Sequence, residues 1–418
     1  MESDRGWIMA KMLEAAENAA PVEAVEAVTR ELGAALGARS IAFLIADLSG
    51  RALVRMAHVP LDGTGEGRRD GDEAALVLPF DGGHAEQALR TQRVQVIANA
   101  DSWTVLAPVT DRGEAIGLLE MILPAEPAPP TLEEIARTAH VLAYVVIANR
   151  RYTDLFEWGQ RTTPFTLSGE IQRRLLPSSF TCEGSSFTLS GWLEPAASIG
   201  GDTFDYSIAR DELHFSVTDA MGHGVASALT ATLGVGSLRN SRRRGVDLVE
   251  QADASNADLA AHSAVPGSYL TAILGRLDLR TGVCALLNAG HVPPLLVRDG
   301  ESRALTLPAN FPLGMFTEAD FHAGEVALRP GDRLVVVTDG VGERHAASLD
   351  LPAMLRSIAD LHPREAVRAL ADAVLDVSGP KLADDATLFI LDWHNGHGEQ
   401  RHSSAGADRA RASTALPA

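Results

Sequence analysis

The sequence predicts an α+β protein with two folded domains joined by a helical linker. Helix and strand signals alternate through residues 1–125, and a proline-rich stretch follows at residues 124–130. The second half has apolar, strand-like runs that end in aspartates beside glycines. A chain of 418 residues is long enough for two or three domains, each with its own core. We predict domains at 1–125 and 169–393, a linker at 126–168 and a polar, disordered tail at 394–418.

The composition is that of an ordinary globular protein and limits the classes of function. Apolar residues make up 46% of the chain and charged residues 22%. A formal net charge of −19 argues against nucleic acid as the main partner. The two cysteines, Cys182 and Cys284, have no metal-ligand spacing, which suits a reducing compartment. No apolar run approaches the roughly 20 residues that span a bilayer. We therefore expect a cytoplasmic protein without a membrane span.

The first 125 residues read as a small sensory unit. Pro21 can occupy the first turn of a helix that runs to Leu36. Two hairpins follow, each across a turn with Asp and Gly, at residues 47–51 and 110–113. This order, which ends in the segment 106–120, resembles a GAF domain. The resemblance implies an unknown small-molecule signal, and the alternative is an α+β domain used only for dimerisation.

A helix is predicted directly after the proline-rich stretch. Thr131 and Glu134 form a capping-box pattern at its start. Apolar residues then recur at spacings of three and four, in a stripe formed by Leu132, Ile135, Ala139, Leu142 and Val146. Such a stripe packs either on the sheet of the first domain or on the same helix of a second copy. We favour the second interpretation, a homodimer through this helix and the GAF-like domain.

Acidic residues lie at the ends of strand-like runs in the second half. Asp202 follows a glycine pair, Asp219 ends an alternating run, and Asp339 follows four apolar residues and Thr338. Asp384 and Asp385 precede another apolar run. Each one alone could be a turn or cap residue. Together they predict one pocket, and because clustered carboxylates repel each other, a hard cation such as Mg²⁺ or Mn²⁺ is the expected partner.

Five motifs occur in order in this half of the chain. They are G-G-D-x-x-D (200–205), D-x-x-G-H-G (219–224), N-A-G-H-x-P-P-L-L (288–296), P-G-D-x-L-x-x-x-T-D-G-V-x-E (330–343) and D-D-x-T-L (384–388). Together they resemble the SpoIIE/RsbU branch of the metal-dependent (type 2C, PPM) serine/threonine phosphatases, over residues 170–392. Residues 171–177 resemble the Q-x-x-L-L-P segment at the entry of that domain. The resemblance implies a β-sandwich flanked by helices.

The resemblance also implies an activity, a substrate class and a metal site. Similar proteins are sensor-regulated phosphatases that often act on a phosphorylated STAS-domain anti-sigma-factor antagonist. Two Mn²⁺ or Mg²⁺ ions are implied, with Asp219 bridging them. The carbonyl of Ala220 and the carboxylate of Asp202 would complete the coordination of one ion, while Asp339 and Asp384 would complete the coordination of the other.

Several roles stay open at the level of the sequence. Asp385 is an alternative to Asp384, because the D-D pair leaves the register ambiguous. Asp205 is expected to orient the loop of Asp202 rather than bind metal. His223 is a candidate general acid, although it could instead fix its turn, which is our interpretation of His291. The purposes of Asn288, Gly290 and Glu343 cannot be derived from the sequence.

Two other functions and one surface feature complete the predictions. The second domain could be a non-catalytic scaffold that binds a partner, although its intact carboxylates argue against this. The same metal site could hydrolyse a small phosphate ester instead of a phosphoprotein. The basic run at 242–244 is interpreted as a surface that complements a helix dipole, in preference to a docking patch for an anionic phosphoprotein.

Overall fold

The protein was analysed as a computed structural model that describes residues 2–61, 76–194, 200–263, 265–341, 350–378, 385–396 and 401–413. For residues 2–9 and 378 only the backbone is described. The chain divides into two compact units. The first contains the chain up to Thr162 together with residues from His402 onward, and the second runs from Thr163 to Arg401. Within the described ranges, no helix is both long and apolar enough to cross a membrane.

The first unit is built on a six-stranded antiparallel sheet with the order β3-β2-β1-β6-β5-β4. Its strands are β1 (Ser40–Ala46), β2 (Ala52–Pro60), β3 (Val77–Pro79), β4 (Gln95–Ala98), β5 (Trp103–Asp111) and β6 (Glu114–Leu123). Its helices are α1 (Glu2–Asn18), α2 (Ala24–Leu36), α3 (His84–Thr91), α4 (Pro129–Asn149) and α5 (Leu155–Gly159). Both predicted hairpins are present, as the pairs β1–β2 and β5–β6. The sheet alone does not identify the unit as a GAF domain, which stays a prediction.

Helix α4 is buried inside the first unit. It packs on β5 and α2, and the stripe residues Ile135, Ala139 and Val146 are all 0% exposed. The apolar face of β5 supplies the partner surface for this stripe, through Val105, Ala107 and other members of the same core. The expectation that the stripe pairs with a second copy is therefore corrected, because its side chains are already covered within the chain.

The second unit is an antiparallel β-sandwich. A five-stranded sheet with the order β15-β12-β11-β10-β9 faces a six-stranded sheet with the order β14-β13-β16-β17-β8-β7. The strands are β7 (Thr181–Glu183), β8 (Phe187–Glu194), β9 (Thr203–Ile208), β10 (Glu212–Ala220), β11 (Leu270–Asp278), β12 (Val283–Ala289), β13 (Leu295–Arg298), β14 (Glu301–Ala304), β15 (Gly324–Ala327), β16 (Arg333–Val337) and β17 (Ala386–Trp393). The helices are α6 (Leu167–Leu175), α7 (Val225–Arg243), α8 (Leu248–His262), α9 (Leu351–Ser357) and α10 (Pro363–Ser378).

Aromatic and aliphatic side chains fill the space between these two sheets. The ring of Phe215, from β10, stacks on Phe389, from β17, with the ring centroids 5.2 Å apart. A side chain at Gly275 would collide with the ring of Phe215, so glycine is needed there for the close approach. Helices α7 and α8 cover one outer face, and α9 and α10 cover the other. The predicted sandwich flanked by helices is confirmed.

Residues 401–413 have defined structure, which differs from the predicted disordered tail. Ala407 is 2% exposed and Ala412 is 8% exposed. Their small side chains, which look like low-complexity sequence, allow the backbone to pack closely on the first unit.

Candidate active site

Three strands bring aspartates together at one end of the sandwich. Asp202 immediately precedes β9, Asp219 is the second-last residue of β10, and Asp385 immediately precedes β17. Strands β9 and β10 pair from Thr203 opposite Thr218, which sets Asp202 beside the end of β10. The backbone N–H of Asp202 lies 3.4 Å from Oδ2 of Asp385. Asp202 and Asp385 are each 2% exposed, whereas Asp219 is half-buried.

The three carboxylates repel one another. The pKa of Asp202 is raised well above its ordinary value, mainly by burial and then by the negative charges of Asp219 and Asp385. A bound cation would remove this repulsion, and carboxylate oxygens are the donors that Mg²⁺ and Mn²⁺ prefer. The donor chemistry therefore fits a hard divalent ion.

The predicted metal ligands are only partly gathered in the described part of the chain. There, no three His, Cys, Asp or Glu side chains are grouped closely enough to hold a metal ion. Asp384 and Glu343 lie outside the described residues. Asp339 begins a 3₁₀ turn after β16, with its side chain exposed. Ala220, whose carbonyl is a predicted ligand, ends β10 and is 1% exposed.

Thr338 orients Asp202, a role that the sequence analysis did not assign. Its hydroxyl donates a hydrogen bond to Oδ2 of Asp202 at 2.6 Å and accepts one from the backbone N–H of Thr387 at 2.8 Å. The side chain is completely buried. The threonine of the T-D-G motif was the available signal, but its partner is 136 residues away in the sequence. Thr338 thus joins the end of β16 to the start of β17 and fixes the carboxylate between them.

Gln172 joins the same cluster from helix α6. Its Nε2 group donates to the backbone carbonyl of Asp202 at 2.8 Å and to Oδ2 of Asp385 at 2.7 Å. The side chain is 1% exposed. Helix α6 starts directly after Thr166, because Oγ1 of Thr166 caps the helix by accepting a hydrogen bond from the N–H of Gly169. The glutamine of the entry segment is therefore a positioning residue for two of the aspartates.

We expect Gln172→Leu to lower the apparent affinity for Mn²⁺, and the activity at limiting Mn²⁺, by about 10- to 100-fold. The substitution keeps the volume but removes both hydrogen bonds from the helix to the cluster. A titration of phosphate release against Mn²⁺ measures the shift. Arg174→Gln is the matched control, because Arg174 lies exposed on the same helix. An unchanged titration for Gln172→Leu would contradict the positioning role.

Asp205 is held by two arginines. It is 4% exposed, and its carboxylate oxygens lie 2.9 Å from Arg239 and 2.8 Å from Arg242 of helix α7. Both oxygens are thus used in ion pairs that join β9 to α7. This geometry supports the expected positioning role for Asp205. Arg242, the first residue of the basic run at 242–244, is therefore already paired with a carboxylate.

His223 lies in the glycine loop between β10 and α7, with its side chain exposed. The flanking Gly222 and Gly224 have φ values of +89° and +77°, a region that favours glycine. The loop leaves β10 directly after Ala220 and enters α7 at Val225. His223 is thus on the chain segment next to Asp219, and its role as general acid stays a prediction.

The N-A-G-H motif forms a closed turn next to the cluster. The side chain of Asn288 donates to the carbonyl of His291 at 3.0 Å and accepts from its N–H at 2.8 Å. Gly290 takes a φ of +67° between them. Nδ1 of His291 lies 2.8 Å from Oγ1 of Thr271, the residue that pairs with Asp219 across β10 and β11. Asn288 closes this turn and Gly290 provides the positive φ that the turn requires. The same geometry supports our interpretation of His291 as a turn residue.

Burial lowers the pKa of His291 to about 4. Since its ordinary value is 6.5, the unfolded chain binds this proton more readily than the folded chain below pH 6.5, and stability falls as the pH is lowered. We expect about 1.5 kcal/mol of the unfolding free energy to be lost at this site between pH 6.5 and pH 5. Denaturation of the wild type and of His291→Asn at several pH values measures the contribution of His291 to this loss of stability. An equal pH dependence in the variant would contradict it.

Most of the second unit is similar to known proteins. Residues 209–394 match the family described as Stage II sporulation protein E (SpoIIE). The phosphoserine phosphatase RsbP of Bacillus subtilis is 24% identical over 234 residues, which are 53% of this chain and 57% of RsbP. The phosphoserine phosphatase RsbU of Bacillus subtilis is 21% identical over 232 residues, 54% of this chain and 68% of RsbU.

Solved structures are also similar to this chain. The RsbU and RsbW domains of a Mycobacterium tuberculosis protein match with 30% identity and a TM-score of 0.44, over 50% of this chain and 61% of that one. The chain thus spans little more than half the length of several relatives that it matches. Residues 209–394 thus match the SpoIIE family, as the motifs within that stretch predicted.

Proposed function

We propose that this protein is a metal-dependent protein phosphatase that hydrolyses phosphoserine or phosphothreonine under the control of its first domain. The observation that supports this most is that the buried Asp202 and Asp385 and the half-buried Asp219 lie together at one end of the sandwich, of which residues 209–394 match the SpoIIE family. A non-catalytic scaffold would not need a buried Asp202 beside two further carboxylates, because burial and their negative charges disfavour the ionised form of Asp202 unless a cation is bound.

The proposed chemistry follows from the charge of the substrate. A phosphate monoester resists hydrolysis because its anionic oxygens repel a nucleophile, and its charge must be stabilised through the transition state. Bound Mn²⁺ or Mg²⁺ would supply a water of lowered pKa and positive charge for the phosphoryl oxygens. Asp202, Asp219 and the Ala220 carbonyl would hold one ion, and Asp339 and Asp384 the other.

The surrounding residues would keep these ligands in place. Thr338 and Gln172 fix the carboxylate and the backbone of Asp202 through the hydrogen bonds described above. Gln172 also fixes Asp385, which suggests an orienting role for Asp385 and leaves Asp384 as the proposed ligand. His223, exposed in the adjacent loop, is the proposed general acid for the leaving serine or threonine oxygen.

The substrate and the regulation are further parts of the proposal. The names of RsbP and RsbU as phosphoserine phosphatases support a phosphoserine substrate. By resemblance, the substrate would be a phosphorylated STAS-domain protein in a cytoplasmic partner-switching pathway. A small molecule bound to the GAF-like domain would be the signal. A homodimer would need a surface other than the buried stripe of α4, such as the half-exposed Tyr144 on the same helix.

Phosphate release from a phosphoserine STAS protein, a nucleotide and p-nitrophenyl phosphate, with Mn²⁺, Mg²⁺ or EDTA, tests the proposal. We expect metal-dependent turnover with a preference for the phosphoprotein. Preference for the nucleotide would instead indicate a small-ester hydrolase. A folded protein that binds the STAS protein but releases no phosphate with any metal would indicate the scaffold function.

A further inference from the structure

Most of the exposed large apolar side chains described in the second unit lie in three neighbouring segments. The first segment is the glycine loop with the start of α7, the second is residues 265–269, and the third is residues 310–316. We call the exposed apolar side chains of these segments the apolar rim. Each of them is between 37% and 57% exposed, and they are Met221, Val225, Leu229, Val265, Phe311 and Phe316.

Backbone hydrogen bonds join the three segments beside Asp219. The N–H of Met221 donates to the carbonyl of Tyr269 at 3.1 Å. Leu270, the next residue, exchanges backbone hydrogen bonds of 2.9 Å with Leu313 in both directions. Met221 follows Asp219 by two residues, so that their Cα atoms are at most about 7 Å apart. The apolar rim therefore lies at the same end of the sandwich as the aspartate cluster.

The part of the rim on α7 is continuous with Val265. Val225 and Leu229 are four residues apart on α7 and share one face of the helix. Thr230, which follows Leu229, donates to Oγ of Ser268 at 3.4 Å. The N–H of Ser268 in turn donates to the carbonyl of Val265 at 3.1 Å. The turn that carries Val265 is thus fixed against the exposed face of α7.

The part of the rim in residues 310–316 is an aromatic pair on a fixed backbone. The rings of Phe311 and Phe316 meet edge to face, with their centroids 4.8 Å apart. Between them, Pro312 lies so close to Gly290 of the N-A-G-H turn that a Cβ atom there would come within 2.5 Å of the proline ring. The carbonyl of Phe316 accepts from the side chain of Asn256 at 3.0 Å. Both rings are therefore exposed although their backbone is held in place, which suits a preformed binding surface.

The segments that form the rim lack negative charge. Residues 220–246, 265–277 and 302–317 contain no Asp or Glu, although the chain has 55 acidic and 36 basic residues. The next acidic residue after Phe316 is Glu318. A phosphorylated serine carries a charge of about −1.5 to −2, and acidic side chains around it would repel it. The rim is thus complementary to an anionic partner with apolar side chains. A second copy bound at this place would cover the glycine loop and keep a protein substrate away from Asp219.

We propose that the apolar rim is the docking surface for the phosphoprotein substrate and receives apolar side chains that flank the phosphorylated residue. This proposal rests on the proposed phosphatase function. Contacts away from the reacting group raise kcat/KM for the substrate that makes them. A small ester such as p-nitrophenyl phosphate places its phosphate at the cluster without reaching along α7. The rim therefore gives the site its preference for a protein over a small ester.

Two substitutions in the full-length protein, Leu229→Gln and Phe311→Ser, test the docking surface. For each variant, kcat/KM is measured with the phosphoserine protein and with p-nitrophenyl phosphate, and the ratio of the two values is compared with that of the wild type. We expect the ratio to fall by about tenfold in each variant, as for the loss of an apolar anchor at an interface. Ile208→Gln is the matched control. Ile208 is 45% exposed, as is Leu229, but it ends β9 at the opposite end of the strand from Asp202, and the ratio should stay within about twofold.

Three results would overturn the proposal. A ratio within about twofold of the wild type in both rim variants would show that the rim does not contact the phosphoprotein. Equal losses with both substrates would show that the rim only supports the fold of the site. A dimeric wild type that Leu229→Gln converts to a monomer, with an unchanged ratio, would assign the rim to a second copy.

Binding of the phosphoserine protein, measured by fluorescence anisotropy, separates this proposal from the proposed function. If the wild type releases no phosphate but binds the phosphoprotein about tenfold more tightly than Leu229→Gln does, the phosphatase function fails and the docking surface stands. If the wild type is an active phosphatase and the ratio is unchanged in the rim variants, the docking surface fails and the function stands.

Discussion

Asp219→Asn should lower metal-dependent phosphate release by at least about 10³-fold. Asp219 is the residue that the resemblance assigns to both metal ions, and it lies at the end of β10 next to the buried Asp202. Replacing its carboxylate by an amide keeps the shape but removes one negative charge and the bridging ligand. Initial rates with saturating Mn²⁺ and a phosphoserine protein measure the loss.

The matched control for this prediction is Asp360→Asn, at an exposed position between α9 and α10. It changes the net charge equally and should leave the rate within about twofold of the wild type. Since Asp219→Asn also relieves the repulsion on Asp202, we expect the folded state to be retained or slightly stabilised in the absence of metal. A variant with normal turnover would exclude Asp219 from the metal site.

Asp205→Ala should lower the unfolding free energy of the second unit by about 3–5 kcal/mol. The carboxylate neutralises Arg239 and Arg242 at a site where it is 4% exposed itself. Its removal leaves two guanidinium groups without that acceptor between β9 and α7. Hydrogen exchange of the β9 and β10 amides as a function of denaturant measures this unit alone, which avoids treating a two-unit chain as two-state.

The same variant separates a positioning role from metal binding. If Asp205 only positions its neighbours, the loss of stability is equal with EDTA and with Mn²⁺. If Asp205 binds metal, most of the loss appears only with Mn²⁺, because binding to the folded state is then weakened. Asp360→Ala, again at an exposed site, should change the stability by less than about 0.5 kcal/mol.

The sequence predicted those parts of the site that depend on local pattern. Strand endings at Asp219 and Asp339, and the glycine turns beside them, follow from alternation and from residues with special backbone freedom. The sandwich and the family followed from five ordered motifs. Gln172 and Thr338 could not be assigned, because their hydrogen-bond partners are brought near only by tertiary packing.

The misjudged features have a similar physical origin. The stripe on α4 has the same spacing whether it packs on a sheet or on a second helix, so periodicity alone could not choose between them. Residues 402–413 include no large apolar residue, and their order depends on Gly406 and on its contact with Gly113, which lies much earlier in the chain. Composition does not report such backbone complementarity.

The burial of α4 has a practical consequence for exchanging the first unit between related chains. A fusion joined at the proline-rich stretch near residue 126 would transplant a helix whose apolar face belongs to the core of its original domain. Such a chimera would expose that face and leave the donor sheet uncovered, and aggregation would follow. The joint should lie after Thr162, where this part of the first unit ends, because Phe156 of α5 belongs to the same core as α4. Helices α4 and α5 then stay with the first unit, and the stretch between Thr162 and α6 becomes the exchangeable connection.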